Sequence, residues 1–125
     1  MYSIVIEETI AIAHCLPGVE VCQALHGHNL KIQVKVSVAK LNIQGMVVDF
    51  RVVKDCIKEL DHRYLNDIHE IDKFAIEDIA TRPVMPTAEN IACYLFQRIG
   101  TKVGPAIVEY VKVWESDKAY AEYKL

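Results

Sequence analysis

The chain has 125 residues, of which 52% are hydrophobic and 25% charged, and this composition is typical of one globular domain, residues 1–125. The net charge of −3, without a basic block, argues against nucleic acid as a partner. The N-terminal stretch is apolar, but it contains Glu7 and Glu8 and has no positively charged start, which argues against a signal peptide. No uninterrupted apolar run is long enough to span a membrane, so no membrane partner is expected. Four scattered cysteines favour a cytoplasmic protein with reduced thiols.

Two strands are predicted in the first third of the chain. In residues 4–14, IVIEETIAIAH, four isoleucines and His14 share one parity, so a strand places them on one face. Residues 28–38, HNLKIQVKVSV, alternate between apolar and polar side chains and form the clearest strand of the sequence. The connection between them contains a Pro-Gly turn at 17–18. The two strands are therefore predicted to pair as an antiparallel hairpin.

Two helices and two further strands are predicted in the rest of the chain. Residues 49–60 have the apolar spacing of a helix. Residues 63–86 are interpreted as a long loop that can contain some local helix, and a second helix follows with Thr87 as its N-cap. Residues 106–116 are predicted to form a strand, and the C-terminal KAYAEYKL a short one. The order strand, strand, helix, helix, strand, strand predicts an α+β domain with an antiparallel sheet.

Three histidines are candidate metal ligands. If the second strand extends back to His26, the period of two puts His26 and His28 on one face. His14 ends the first strand, and in an antiparallel hairpin this end lies near the start of the second strand. Three neutral imidazoles with an open fourth position are typical of a catalytic zinc site. The alternative is a group of hydrogen-bonded histidines at strand ends.

Three further residues are candidates for proton transfer. Cys22 lies just before the histidine pair, where a nearby cation would lower the pKa of its thiol, although a lone cysteine is also common as a small buried residue. Asp61 is adjacent to His62 and can orient its imidazole if the first helix ends at or near Asp61. The alternative is a helix C-terminus whose dipole favours a histidine.

Glu115 is a candidate ligand-binding carboxylate. One parity of its strand contains Ile107, Glu109, Val111, Val113 and Glu115. Because both faces of the strand are partly apolar, neither carboxylate is plainly directed to solvent. Such a carboxylate can accept two hydrogen bonds from a guanidine-like edge of a ligand. The alternative is a glutamate in water at a strand end.

Six short motifs run through almost the whole chain in one order. They are IAH (12–14), CQALHGH (22–28), GMVVDF (45–50), LDHRYLND (60–67), PTAEN (86–90) and VWES (113–116). Together they resemble the 6-pyruvoyl-tetrahydropterin synthase superfamily, which includes the 6-carboxytetrahydropterin synthase of queuosine biosynthesis.

The resemblance implies the tunnelling fold, a four-stranded antiparallel sheet with two helices inserted between strand pairs. Three subunits would close a twelve-stranded barrel, and two trimers would stack into a homohexamer with active sites between subunits. By resemblance, zinc is bound by His14, His26 and His28. By resemblance also, Cys22 is the catalytic thiol, Asp61 and His62 are the acid/base pair, and Glu115 anchors the pterin ring. Thr87 and Glu89 would lie near the pterin pocket.

The implied reaction converts 7,8-dihydroneopterin triphosphate to 6-carboxy-5,6,7,8-tetrahydropterin, with release of triphosphate and acetaldehyde. The spacing from Cys22 to the HGH motif resembles this branch. Two alternatives stay open: a 6-pyruvoyl-tetrahydropterin synthase, which only eliminates triphosphate, and a non-catalytic homologue that binds zinc or pterin. Cys15 stands where relatives often have arginine, and it places a second thiol beside the proposed ligand His14. The catalytic thiol is therefore either Cys22 or Cys15.

Overall fold

The computed structural model describes residues 1–19, 24–74 and 83–125, and within them one sheet packs against two helices. Its elements are β1 Tyr2–His14, β2 His26–Val38, α1 Phe50–Lys58, β3 Arg63–Tyr64, α2 Ala88–Gly100, β4 Ile107–Ser116 and β5 Ala119–Lys124. The strand order is β3-β1-β2-β4-β5, and the pairings are antiparallel except between β3 and β1. Neither α-helix of the described residues has the length and apolarity needed to cross a membrane.

The predicted α+β architecture is confirmed, with one small difference. The sheet has five strands rather than four, because Arg63–Tyr64 pairs in parallel with Ile12 and Ala13 of β1. These two residues fall in the stretch predicted as a loop, and two residues are too few to carry a periodic pattern. A turn of 3-10 helix, Leu65–Asp67, follows directly. The added strand therefore fastens the chain after α1 to the end of β1.

The β1–β2 hairpin is the centre of the sheet and sets the geometry of its open end. Its register runs from Tyr2 opposite Val38 to His14 opposite His26. The strand β2 therefore does extend back to His26, as the parity argument requires. One face is buried against the helices and holds the largest core side chains, among them Ile10, Leu30, Ile32 and Val34.

The two helices cover this buried face and begin at side-chain caps. In α1, Asp49 accepts a hydrogen bond from the backbone N–H of Arg51, and in α2 the Thr87 hydroxyl accepts one from that of Asn90. Helix α2 packs against β4 and β5, and its side chains of Leu95 and Ile99 are fully buried. Helix α1 ends at Lys58, before the Asp-His pair at 61–62. The pair is therefore free of the helical geometry that would separate its side chains.

A β-bulge changes the face alternation of β4. Lys35 pairs with Tyr110 but Val36 pairs with Val108, so Glu109 is an extra residue. The prediction that Ile107 shares a face with Val111 is therefore wrong, and Ile107 is exposed whereas Val108 is buried. Glu109 instead accepts a hydrogen bond from Ser37 at 2.9 Å and pairs with Lys35 at 3.3 Å. The Glu109 carboxylate is thus held by Ser37 and Lys35 within the sheet.

Candidate active site

The three predicted ligand histidines converge at the open end of the β1–β2 hairpin. The ring centroids are 4.6 Å apart for His14 and His26, 5.0 Å for His14 and His28, and 4.6 Å for His26 and His28. One ring nitrogen of each lies within 4.8 Å of the others. His14 lies directly opposite His26, and His28 lies opposite Ile12 on the same face. The strand register by itself therefore assembles the three imidazoles.

Hydrogen bonds to backbone carbonyls orient two of these rings. Nδ1 of His14 is 2.9 Å from the carbonyl oxygen of Pro86, and Nδ1 of His26 is 2.8 Å from that of Ala24. A carbonyl only accepts, so Nδ1 carries the proton in each ring. Nε2 of His14 is buried and has no hydrogen-bond partner among the described residues. An orphaned lone pair of this kind is costly unless something binds it, and it fits a metal ion.

The environment of His14 favours its neutral form. Burial lowers the pKa of this histidine, and the nearby His26 and His28 lower it further, against opposing effects of Pro86 and Glu115. Because only a neutral imidazole has a lone pair to donate, this shift suits metal binding. The three-histidine set matches the donors that zinc takes in catalytic sites. By geometry and by protonation, the three histidines could therefore hold a metal ion.

Asp61 and His62 lie in the turn after α1, and hydrogen bonds attach this turn to β1. The Asp61 carboxylate accepts a hydrogen bond from the N–H of Ala11 at 2.9 Å, and the N–H of His62 donates to the Ala11 carbonyl at 2.6 Å. Nδ1 of His62 is 3.2 Å from the Asp61 carboxylate. The hydrogen bond from Ala11 and the adjacent imidazole lower the pKa of Asp61. The carboxylate is thus ionised and placed to orient the imidazole.

The backbone of His62 is unusual and directs its ring outward. Its φ is +60°, a left-handed conformation that non-glycine residues seldom adopt. The side chain is 82% exposed, so the ring can reach a bound molecule. Strained backbone held in place by hydrogen bonds is frequent at functional sites. The structure thus brings Asp61 and His62 together in the geometry of an acid/base pair.

The other proposed substrate-binding residues gather on a second side of the site. Glu115 lies at a second bulge, between Trp114 opposite Tyr120 and Ser116 opposite Ala119, and its side chain is exposed in the single chain. It lines a cavity of about 180 Å³ together with Glu89, which is also exposed. The hydroxyl of Thr87 is engaged in capping α2. Glu115 and Glu89 can therefore contact the same ligand, whereas the hydroxyl of Thr87 also stabilises the start of α2.

Of the two candidate thiols, the structure describes one. Cys22 lies outside the described residues. Cys15 is a free thiol whose sulfur is 3.4 Å from the hydroxyl of Tyr64, and this contact raises the pKa of Tyr64. The Asn66 side chain accepts a hydrogen bond from the N–H of Cys15 and donates one to its carbonyl, both at 2.9 Å. Asn66 thereby holds the chain immediately after His14.

Sequence reasoning missed several of these contacts. Asn66 lies within the motif LDHRYLND, which singled out the segment but gave no role to this residue. The carbonyl of Pro86 could not be found, because a backbone acceptor has no side-chain signature.

A sequence profile described as 6-pyruvoyl tetrahydropterin synthase matches residues 3–125. The chain belongs to this family. An Aquifex aeolicus protein named 6-carboxy-5,6,7,8-tetrahydropterin synthase is 31% identical, over 82% of this chain and 75% of its own. The Haemophilus influenzae protein of that name is 30% identical, over 99% of both. An Archaeoglobus fulgidus protein, to which that name is given provisionally, is 33% identical over 95% of this chain and 92% of its own.

Solved structures of the family have the same fold. The Caenorhabditis elegans 6-pyruvoyl tetrahydropterin synthase matches with a TM-score of 0.71 and 23% identity, over 99% of this chain and 95% of its own. The Plasmodium vivax 6-pyruvoyl tetrahydropterin synthase matches with a TM-score of 0.63 and 18% identity, over 99% and 98%. The predicted tunnelling fold is thereby confirmed. So is the prediction of an enzyme resembling the 6-carboxytetrahydropterin synthases, from its named relatives.

Proposed function

We propose that this family member is a zinc-dependent 6-carboxy-5,6,7,8-tetrahydropterin synthase. It would convert 7,8-dihydroneopterin triphosphate to the 6-carboxy pterin with release of triphosphate and acetaldehyde, a step of queuosine biosynthesis in the cytoplasm. The observation that carries the proposal is the orphaned Nε2 of His14, buried beside the rings of His26 and His28. The names of the curated relatives support the choice of this branch.

Three side chains of the hairpin would hold the metal ion, namely His14, His26 and His28. When bound, Zn²⁺ would supply a Lewis acid for oxygens on the substrate side chain. The carbonyl partners of His14 and His26 hold each Nδ1 protonated and leave each Nε2 available as the ligand atom. All three ligands come from one chain, so metal binding does not require a second subunit.

Proton transfer is assigned to the residues around the histidine cluster. His62, oriented by the ionised Asp61, would move one proton at the side-chain carbons of the substrate. A thiolate, that of Cys22 in this proposal, would move the other. Glu115 would accept two hydrogen bonds from the guanidine-like edge of the pterin, with Glu89 and Thr87 close by. The changes in oxidation state are internal to the substrate, so no redox cofactor is needed, and one water molecule supplies the second carboxylate oxygen when acetaldehyde is released.

We further propose the assembly of the family, a homohexamer of two stacked trimers. In the described residues, β5 pairs with β4 alone, and residues 2–10 of β1 pair with β2 alone. Two strand edges of the sheet are therefore available for pairing. Closure of a barrel between subunits would satisfy the unpaired backbone groups of both edges.

Product analysis tests the reaction. Zinc-loaded protein is incubated with 7,8-dihydroneopterin triphosphate, and acetaldehyde and the 6-carboxy pterin are the expected products. A pyruvoyl pterin without acetaldehyde would identify a 6-pyruvoyl-tetrahydropterin synthase instead. Binding of zinc and pterin without any turnover would identify a non-catalytic homologue.

Paired substitutions test the thiol. Cys22→Ala is expected to abolish turnover and to leave zinc and pterin binding intact, whereas Cys15→Ala serves as the matched control. The reverse result would assign the proton transfer to Cys15, which lies beside Tyr64.

A further inference from the structure

The carbonyl that orients His14 belongs to a segment without helix or strand. Residues 83–87 lead into α2 and belong to no helix or strand, so no hydrogen-bond ladder holds them. Nevertheless Pro86 is buried and its carbonyl oxygen is 2.9 Å from Nδ1 of His14. Side chains from elsewhere must therefore fix the position of this carbonyl.

Two buried polar side chains bind both backbone groups of Met85, the residue before Pro86. The N–H of Met85 donates to the carboxylate of Asp72 at 2.9 Å, and the carbonyl of Met85 accepts from the side-chain amide of Asn90 at 2.8 Å. Asp72 is 3% exposed and Asn90 is 8% exposed. Buried polar groups are costly to place, and here each of the two forms one hydrogen bond with the backbone of Met85. We refer to Asp72 and Asn90 as the Met85 clamp.

The clamp and the start of α2 enclose Pro86 from both sides. The ring of Pro86 fixes the φ angle of that residue, and so limits how its carbonyl can move relative to Met85. On the other side, the N–H of Thr87 donates to the Met85 carbonyl at 2.9 Å, and the Thr87 hydroxyl accepts from the backbone N–H of Asn90 at 3.1 Å. Asn90 thus joins the clamp and the helix cap. The Pro86 carbonyl has little freedom left.

We propose that Asn90 and Asp72 are positioning residues for the metal ligand His14. By holding Met85 they hold the Pro86 carbonyl, which keeps the proton on Nδ1 and directs Nε2 to the other two imidazoles. Loss of the clamp lets the carbonyl move and removes the preference for this tautomer. The inference rests on the proposed function, because it requires that the histidines bind a metal.

The test substitutes Asn90→Asp, which preserves the size of the side chain and removes its N–H donor. Zinc affinity is measured by competition with a chromophoric chelator, and we expect it to fall about 10-fold or more, as is usual when a partner behind a metal ligand is lost. Asp72→Asn retains an acceptor oxygen for the Met85 N–H and should keep the affinity of the unmodified protein. Asp72→Ala removes the other half of the clamp and provides the test if Asn90→Asp does not fold.

A matched control separates positioning from general destabilisation. Ser37 is 1% exposed and donates a hydrogen bond to Glu109 at the β4 bulge. Ser37→Ala therefore removes a buried hydrogen bond elsewhere, and it should lower the melting temperature without changing zinc affinity. In addition, ¹⁵N NMR of the histidine rings of the metal-free protein should show a mixture of His14 tautomers in Asn90→Asp and one tautomer in Ser37→Ala.

The outcomes distinguish this inference from the proposed function. Unchanged zinc affinity and an unchanged His14 tautomer in a folded Asn90→Asp protein overturn the positioning role alone. Unchanged zinc affinity in His26→Ala overturns the metal site, and this inference with it. Reduced zinc affinity in Asn90→Asp and in His26→Ala, with unchanged affinity in Ser37→Ala, supports the positioning role and the metal site together.

Discussion

Asp61 links the proposed acid/base pair to the strand that ends in His14, and its charge makes that link dependent on pH. The hydrogen bond from Ala11, followed by the charge of His62, lowers the Asp61 pKa below its ordinary value of 3.8. A carboxyl group with a depressed folded-state pKa contributes stability above its unfolded-state pKa and loses it as the pH falls through the folded value. The contribution is therefore complete above about pH 5 and declines below it.

The substitution Asp61→Asn tests this dependence, because the amide keeps an acceptor oxygen for Ala11 but cannot titrate. We expect the free energy of unfolding of this variant to fall less steeply than that of the unmodified protein between about pH 5 and pH 2. Urea unfolding at several pH values gives the comparison. Asp55→Asn, on the exposed side of α1, is the control and should leave the slope unchanged. Parallel slopes for Asp61→Asn and the unmodified protein would contradict the argument.

His62 offers a way to separate catalysis from stability. Asparagine adopts the left-handed conformation more readily than most residues, so His62→Asn suits the observed φ of +60°. We expect the free energy of unfolding to change by no more than about 0.5 kcal/mol, as for exposed residues. The turnover number should fall about 10²- to 10⁴-fold if the imidazole is the acid/base group. Steady-state kinetics and urea unfolding measure the two effects.

The control for His62→Asn is the same change at His69, which is also exposed. His69→Asn should leave both the turnover number and the stability unchanged. A His62→Asn protein with full turnover would remove this histidine from the proposed mechanism, whatever its stability.

Residue-level reasoning from the sequence succeeded where strand parity or adjacency applied. His14, His26 and His28 share a face because the hairpin register preserves parity along both strands. It failed at Ile107, where a bulge inserts Glu109 and reverses the alternation. A bulge residue such as Glu109 has no periodic signal in the sequence. The carbonyl of Pro86, which orients the ring of His14, has no side-chain signal either.

At the scale of the elements, α2 is connected to the site through its first turn, because Thr87, its N-cap, follows Pro86 directly and Asn90 belongs to the Met85 clamp. Thr87→Ala removes the hydroxyl that accepts the Asn90 N–H at 3.1 Å. We expect it to lower the free energy of unfolding by about 1 kcal/mol, the usual cost of losing a threonine cap. Chemical denaturation followed by circular dichroism measures the change. Thr87→Ser, which keeps the hydroxyl, should stay close to the unmodified protein; equal losses in both variants would show that the cap is not the cause.

The longer elements could be predicted from the sequence, whereas the two-residue strand β3 could not. The strands β1 and β2 and the helices α1 and α2 repeat their apolar pattern often enough to be recognised. The strand β3 has two residues, and it exists because the turn after α1 returns to β1 through Ala11. Such a tertiary contact leaves no local signal. For this reason the prediction of a loop at 63–86 gave no indication of the hydrogen bonds from Asn66 to Cys15 and from Met85 to Asp72.

At the scale of the whole molecule, two edges of the sheet are unpaired within the described residues, that of residues 2–10 in β1 and that of β5, and both carry exposed apolar side chains. On β1, Tyr2 is 52% and Val5 is 50% exposed, and on β5, Tyr120 is 51% and Tyr123 is 37% exposed. Natural proteins usually protect open strand edges with charge, whereas apolar edges are typical of surfaces that pair with another chain. The distribution of these residues therefore agrees with the proposed closure of the sheet between subunits.

Val5→Lys tests that assembly, because a charge on an edge strand opposes edge-to-edge pairing and the half-exposed position tolerates a lysine within the single chain. We expect sedimentation velocity to show about 85 kDa, six times the 14.2 kDa chain, for the unmodified protein and a smaller species for Val5→Lys. Ile43→Lys introduces the same charge at a fully exposed loop residue and should keep the larger mass.

Because His14, His26 and His28 belong to one chain, the dissociated protein should still bind zinc. Its turnover should be lost, since the proposed active sites lie between subunits, and full turnover by a monomer would mean that one chain holds the whole site.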